Sequence, residues 1–308
     1  MLAEFIKNCS EGEFRLGDYY WDSKIDYLSK TRGLYYNDDY LEFLVKNVWK
    51  MSLSPVRIID FGCGNGYLGT KLLPLLSEGS TYTGVDAGCK LIDHATDVFK
   101  DATFKTEFIQ GDVKQLVFEQ KYDVVVCHAF LLHVENPKEI LQKMISCLVD
   151  RGRIICFEPH WISGMANYSL YGYDSSDVVQ LGFLQKLFER DAHRSGKDGN
   201  IGIKIPVYLS QLGVKQIECR VSDKVNFLDP NSEFERTNAL FSSLKEDGFG
   251  ADPGEQEQFI SNLMNRGATY EEAQNEYRLE SFLSKAFKND TFLTYAANMK
   301  ITTGVIER

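Results

Sequence analysis

The chain has 308 residues, of which 44% are hydrophobic and 25% charged, a composition typical of a soluble globular protein. Its net charge of −10, without a cluster of lysine and arginine, argues against nucleic acid as a partner, because phosphates require local positive charge. Short apolar runs, an N-terminus without a long apolar segment and seven cysteines without a Cys-x-x-Cys pair predict a cytoplasmic protein that does not cross or bind a membrane.

The elements fall into a core with flanking covers. Residues 1–50 have a helical pattern rich in tyrosine, and the segment that follows alternates short apolar runs with helical patterns. The runs are 56–60, 82–86, 108–112, 122–127 and 153–158. This alternation predicts an α/β fold with a parallel, doubly wound sheet.

The sequence of one core helix has clear signals for its N-terminus. In NPKEILQKMISCLVDRG, Asn136 suits the N-cap, Pro137 suits the first helical position, and Glu139 has the spacing of a capping box. Gly152 is the predicted end of this helix. The predicted organisation is an N-terminal helical cap (1–50), a core (51–228) with a helical insertion (about 161–205), a helical insertion or lid (229–296) and a final core strand (297–308).

The first apolar run leads into a glycine-rich turn, IIDFGCGNG, and then a helix. Such a turn brings backbone N–H groups close to a ligand. The frame Gly62-x-Gly64-x-Gly66 follows the strand directly but has Tyr67 at the third position of the dinucleotide fingerprint. The frame that begins at Gly64 matches the fingerprint, but it would place its glycines inside the helix. A nicotinamide cofactor is therefore the weaker interpretation.

Three acids stand at successive strand ends: Asp60, Asp86 and Asp112. An acid after the second strand suits two ribose hydroxyls, and one after the third can accept a hydrogen bond from an adenine amino group. An acid before the glycine turn suits a cationic amine better than a pyrophosphate. Together the acids describe a ligand with adenosine at one end and a cationic amino-acid portion at the other.

With these motifs, and with YDVVVCHAFLLH before the capped helix, residues 55–160 resemble the class I S-adenosylmethionine-dependent methyltransferases. The resemblance implies a Rossmann-like, mostly parallel seven-stranded sheet with an antiparallel last strand, covered by N- and C-terminal helical lids. It also implies the cofactor S-adenosyl-L-methionine. The contacts it implies are Gly62, Cys63, Gly64 and the backbone of His128 at the methionine part, Asp60 at its amine, Asp86 and Ala87 at the ribose, Asp112 and Val113 at the adenine, and Tyr20 or a neighbouring aromatic closing over the cofactor.

The residues that could act on an acceptor lie after the fourth and fifth strands. A thiolate or amine acceptor needs no general base, whereas a hydroxyl or carbon acid usually does. The candidates for a base are His128, Glu158 and His160, and those for the acceptor wall are His133 and Trp161. The pair His128 and His133 lacks a nearby third and fourth ligand, so no metal site is predicted.

The predicted function is methyl transfer from S-adenosylmethionine to a small molecule by in-line displacement. After the fourth strand the chain reads CHAFLL. Methyltransferases of nucleic-acid amino groups carry an Asn/Asp-Pro-Pro-Tyr/Phe motif there. Two alternatives stay open: a non-catalytic cofactor-binding sensor or partner protein on the same fold, and a less favoured NAD-dependent oxidoreductase.

Overall fold

A computed structural model describes residues 19–308 of the chain, so residues 1–18 of the predicted N-terminal cap lie outside the described part. The strands are β1 Arg57–Phe61, β2 Thr81–Asp86, β3 Lys105–Gln110, β4 Tyr122–His128, β5 Leu148–Glu158, β6 Tyr168–Leu170, β7 Lys215–Val221, β8 Asn226–Leu228, β9 Leu293–Tyr295 and β10 Lys300–Val305. The five core strands lie where the apolar runs predict them, except that β3 starts and ends earlier and β5 begins earlier, at Leu148.

Seven strands form one sheet in the order β3-β2-β1-β4-β5-β10-β7. The pairs from β3 to β5 are parallel, whereas β10 is antiparallel to both of its neighbours. This confirms the predicted doubly wound sheet with an antiparallel last strand. The strand order reverses between β1 and β4, and ligands bind at such a switch point beyond the carboxyl ends of parallel strands.

Helices cover the sheet on both faces. They are α1 Ile25–Thr31, α2 Asp38–Phe43, α3 Tyr67–Leu72, α4 Cys89–Phe99, α5 Pro137–Ser146, α6 Trp161–Met165, α7 Leu181–Ser195, α8 Ile205–Gln211, α9 Phe234–Glu246, α10 Gln256–Asn265 and α11 Tyr270–Ala286. Along β4, Val124 and Val126 belong to one buried apolar cluster, and Val125 and Cys127 belong to another. Burial on both faces explains why the strand is a continuous apolar run.

Two local predictions were wrong. Asn136 occupies the N-cap of α5, but its side chain makes no capping hydrogen bond, so the predicted capping box does not form. The helix ends at Ser146 and β5 begins at Leu148, so Gly152 lies inside the strand rather than at the helix end.

The region after β7 is not wholly helical. Three short strands form a second, antiparallel sheet in the order β6-β9-β8, and α9, α10 and α11 lie between β8 and β9 in the chain. Within residues 19–308, no helix is both long and apolar enough to cross a membrane.

Candidate active site

The turn after β1 has a conformation that depends on glycine. Gly62, Gly64 and Gly66 have φ angles of 72°, 55° and 82°. Side chains other than glycine rarely adopt such angles. A Cβ atom at Gly62 would also overlap the ring of Phe130, which packs directly on it. The turn is tied to β2 because Gly62 and Cys63 both donate their N–H groups to the Val85 carbonyl, at 2.8 and 3.0 Å.

Asp86 joins this turn to the turn after β2. One carboxylate oxygen accepts from the Gly64 N–H and the other from the Gly88 N–H, each at 2.9 Å. The side chain is buried, and burial raises its pKa. A carboxylate has about four acceptor positions, so about two remain for the hydroxyls of a ligand. Ala87 follows it, and its carbonyl accepts a hydrogen bond from the side chain of Gln110.

Asp60 is buried beneath the turn, with only 1% of its surface exposed. One of its oxygens accepts from the Tyr82 hydroxyl at 2.6 Å, and the other has no partner among residues 19–308. Burial raises the pKa of Asp60 to about 7. A cationic group beside the unsatisfied oxygen would stabilise the ionised form of this carboxylate.

Asp112 lies two residues beyond the end of β3, where it is exposed and accepts from the Lys114 N–H at 2.8 Å. The next residue, Val113, is buried in the apolar cluster. Burial, with the negative charges of Asp86, Asp22 and Asp112, raises the pKa of Tyr19. The ring of Tyr19 packs on Gly88.

Tyr20 and its neighbours in the chain lie at one cavity. The ring of Tyr20 packs edge-on against Trp21, and Tyr19, Tyr20 and Trp21 all line a cavity of about 890 Å³. Of the three, Tyr19 is the one whose ring packs on Gly88, the residue that donates its N–H to Asp86.

The cavity lies beside the switch point. It is enclosed by residues 19–35, by the turns that follow β4 and β5, by α7 and α10, and by the segment between β9 and β10. Its volume is within the range of 300–1,000 Å³ that small-molecule sites occupy. Aromatic rings form much of the wall, among them Trp21, Trp161 and Tyr295.

The structure separates the three histidines. His128 is buried between Tyr36, Tyr67 and Phe157, with ring centroids 5.7–6.0 Å apart, and it does not line the cavity. Burial, with a contribution from the positive charge of Arg32, lowers its pKa. This histidine is a neutral packing group behind the turn rather than a group at the acceptor side.

His133 and His160 do line the cavity, together with Trp161. The ring of His133 lies 4.7 Å from that of Trp21. Burial, with the positive charges of Arg32 and Lys197, lowers the pKa of His133. Burial, with the charge of Lys300, lowers the pKa of His160. Both rings are therefore neutral near pH 7, and His133, with its pKa lowered to about 3, is a poor proton acceptor there.

Glu158, the third predicted base, lies outside the cavity wall. Its side chain is fully buried, and one oxygen accepts from the N–H groups of Phe130 and Leu131 at 3.1 and 2.9 Å. Burial raises its pKa to about 7. Glu158 therefore acts as a positioning residue that holds the turn after β4.

The comparisons with known proteins agree with this geometry. Residues 53–179 match the family model described as "Methyltransferase domain". The described part also has the fold of phosphoethanolamine N-methyltransferase 2 from Haemonchus contortus, solved with phosphomonomethylethanolamine and S-adenosylhomocysteine. The TM-score is 0.51 at 13% identity, over 94% of this chain and 58% of that one. Residues 53–179 form a class I, S-adenosylmethionine-dependent methyltransferase domain. The resemblance seen in the sequence is thereby confirmed.

Among curated proteins, the domain is similar to ubiquinone biosynthesis O-methyltransferases. The protein from Rickettsia felis is 26% identical over 145 residues, which are 47% of this chain and 52% of that protein. The one from Rickettsia conorii is 32% identical over 108 residues, 34% of this chain and 36% of that protein. The chain thus spans about half or less of the length of these relatives.

Asp86 ties the turns after β1 and β2 together, as their positions at neighbouring strand ends predict. Several residues of the cavity, by contrast, carry no sequence signal. Arg266 places its guanidinium on Asp191, with nitrogen–oxygen distances of 3.0 and 2.6 Å, and Arg194 binds the other oxygen of Asp191 at 3.0 Å. Arg32 and Lys197 also line the cavity. No group of three or more His, Cys, Asp or Glu that could hold a metal occurs in the part of the chain that the structure describes.

Proposed function

We propose that this protein transfers the methyl group of S-adenosylmethionine to a small-molecule acceptor bound in the cavity. One observation carries the proposal. Phe130 packs on Gly62 of the glycine turn, whereas its neighbours Ala129, Leu132 and His133 line the cavity. A single turn thus forms a wall with the cofactor side on one face and the acceptor side on the other.

The proposed cofactor contacts involve carboxylate oxygens that can still accept hydrogen bonds from a ligand. Asp86 would hold the ribose hydroxyls, Asp112 would face the adenine, and the unpartnered oxygen of Asp60 would favour the amine. Gly62 and Gly64 keep Cβ atoms away from the approach surface. When bound, S-adenosylmethionine supplies a methyl group already activated by the sulfonium.

The chain's remaining task is to align the acceptor and exclude water, which accounts for much of the rate in a reaction of this kind. Trp21 and Trp161 supply apolar wall. We propose a hydroxyl as the acceptor group, because the neutral ring of His160 in the wall can take its proton. The names of the O-methyltransferase relatives are consistent with this choice.

The test is a methyl-transfer screen. The protein is incubated with methyl-labelled S-adenosylmethionine and panels of phenols, other alcohols, thiols, amines and carboxylates. Acceptor-dependent formation of S-adenosylhomocysteine, strongest with hydroxyl compounds, supports the proposal. Turnover confined to amines or thiols would contradict the hydroxyl assignment, and cofactor binding without turnover in any panel would favour the non-catalytic sensor.

A further inference from the structure

The cavity has a charge opposite to that of the chain. The charged residues of its wall are five basic ones and two acidic ones: Lys24, Arg32, Arg194, Lys197, Arg266, Asp191 and Asp247. The chain as a whole has a net charge of −10. Because both histidines of the wall are neutral, the fixed charge of the cavity is positive. A concave, poorly solvated site concentrates such a field.

Each acid in the wall already has partners. Asp191 binds Arg266 and Arg194, and Asp247 accepts from the Tyr35 hydroxyl at 3.1 Å. Neither Arg32 nor Lys197 forms an ion pair within residues 19–308.

These two cations line the same cavity as His133. Arg32 lies with its guanidinium 5.7 Å from the centre of the Tyr35 ring, and both Arg32 and Lys197 lower the pKa of His133 after the effect of burial. The ring of His133 lies on Trp21. The wall of this cavity therefore contains an aromatic surface and two cations together with His133.

The cofactor does not supply the missing negative charge. S-adenosylmethionine carries one carboxylate, one ammonium and one sulfonium, so its binding adds positive charge. The partner that would neutralise the cavity is then the acceptor.

We propose that the acceptor carries an oxyanion, either a carboxylate or a phosphate monoester, which Arg32 and Lys197 bind beside His133 and Trp21. This inference rests on the proposed function of the cavity as the acceptor site. A guanidinium is planar and offers paired N–H donors that match the oxygens of either anion, and Lys197 adds a compact charge.

The experiment uses the full chain saturated with S-adenosylhomocysteine and three probes that share a phenol ring. Para-hydroxybenzoate carries a carboxylate, para-hydroxyphenyl phosphate carries a phosphate, and para-hydroxybenzamide is the neutral counterpart. Calorimetry gives the affinity of each. We expect at least one anion to bind about tenfold or more tighter than the amide, since a charge-assisted contact is lost in the amide. The anion that binds more tightly shows whether the site prefers a carboxylate or a phosphate.

Variants locate the effect. Arg32→Gln and Lys197→Gln should each bring the anion and amide affinities closer together. Lys186→Gln, at an exposed lysine of α7 outside the cavity wall, is the matched control and should leave the ratio unchanged. A bound anion should also raise the pKa of His133 in an NMR titration, because it stabilises the protonated ring.

Equal affinity for anions and amide, or no saturable binding of either anion, would overturn the inference. So would a loss in Arg32→Gln and Lys197→Gln that is confined to S-adenosylhomocysteine affinity. Failure of the proposed function looks different, because the unmodified protein would then bind no S-adenosylhomocysteine or transfer no methyl group.

Discussion

Replacing Glu158 by glutamine tests how the wall between cofactor and acceptor is held. The carboxyl is fully buried, and one oxygen accepts from the N–H groups of Phe130 and Leu131. The other oxygen has no partner among residues 19–308. In the Glu158→Gln variant, the side-chain amide would keep a carbonyl oxygen for the two N–H groups but could not ionise.

The structure gives the size and sign of the effect. Burial raises the pKa of Glu158 from 4.5 to about 7. Between these values the native state binds more protons than the unfolded chain, so the contribution of Glu158 to stability is present at low pH and is lost as the pH rises through 7. At about 1.4 kcal/mol for each pKa unit, the loss totals about 3 kcal/mol, most of it between about pH 5 and pH 8.

The assay is urea unfolding at a series of pH values for the native sequence and Glu158→Gln. Between pH 5 and pH 8, the free energy of unfolding should fall by about 3 kcal/mol less in Glu158→Gln than in the native sequence. Glu189→Gln, at an exposed position of α7, is the matched control for the substitution itself. An identical pH dependence in all three proteins would refute the reasoning about Glu158.

Three further predictions concern the site. Asp86→Ala should weaken binding of S-adenosylhomocysteine by about 1–3 kcal/mol, whereas Asp93→Ala on the exposed side of α4 should not; equal affinities by calorimetry would exclude Asp86 as a ribose ligand. Gly62→Ala should lower the free energy of unfolding by about 2–4 kcal/mol, because the new Cβ meets Phe130 at a left-handed φ; an unchanged urea midpoint would contradict this. His160→Gln should lower kcat for a hydroxyl acceptor by about 100-fold or more with little change in KM, and unchanged kcat would eliminate His160 as the base.

The core could be predicted because its signals are local. The strand runs, the glycine turn and the acids of β1 and β2 are each contained in a few residues, and the structure brings them to one edge. The turn after β4 is an example of a feature that local sequence signals do not predict. Glu158 stands at a strand end that faces the crevice, but its side chain turns to the amides of Phe130 and Leu131, which sequence spacing does not reveal.

The small sheet and the cavity depend on contacts between distant segments. Leu293–Tyr295 is too short for a visible period-two pattern, and its two partner strands lie far away in the chain. Arg32, Lys197 and His133 line one cavity only because the N-terminal helices and the segment after α7 fold over the same sheet edge. No motif joins these residues, so the charge of the cavity follows from tertiary structure alone.

The most direct test of the central claim is calorimetric titration of the full chain with S-adenosylmethionine, S-adenosylhomocysteine and NAD. The glycine turn with Asp60, Asp86 and Asp112 predicts saturable binding of both sulfur compounds and none of NAD. Absence of saturable binding by both sulfur compounds would contradict the assignment of this site and of the function built on it.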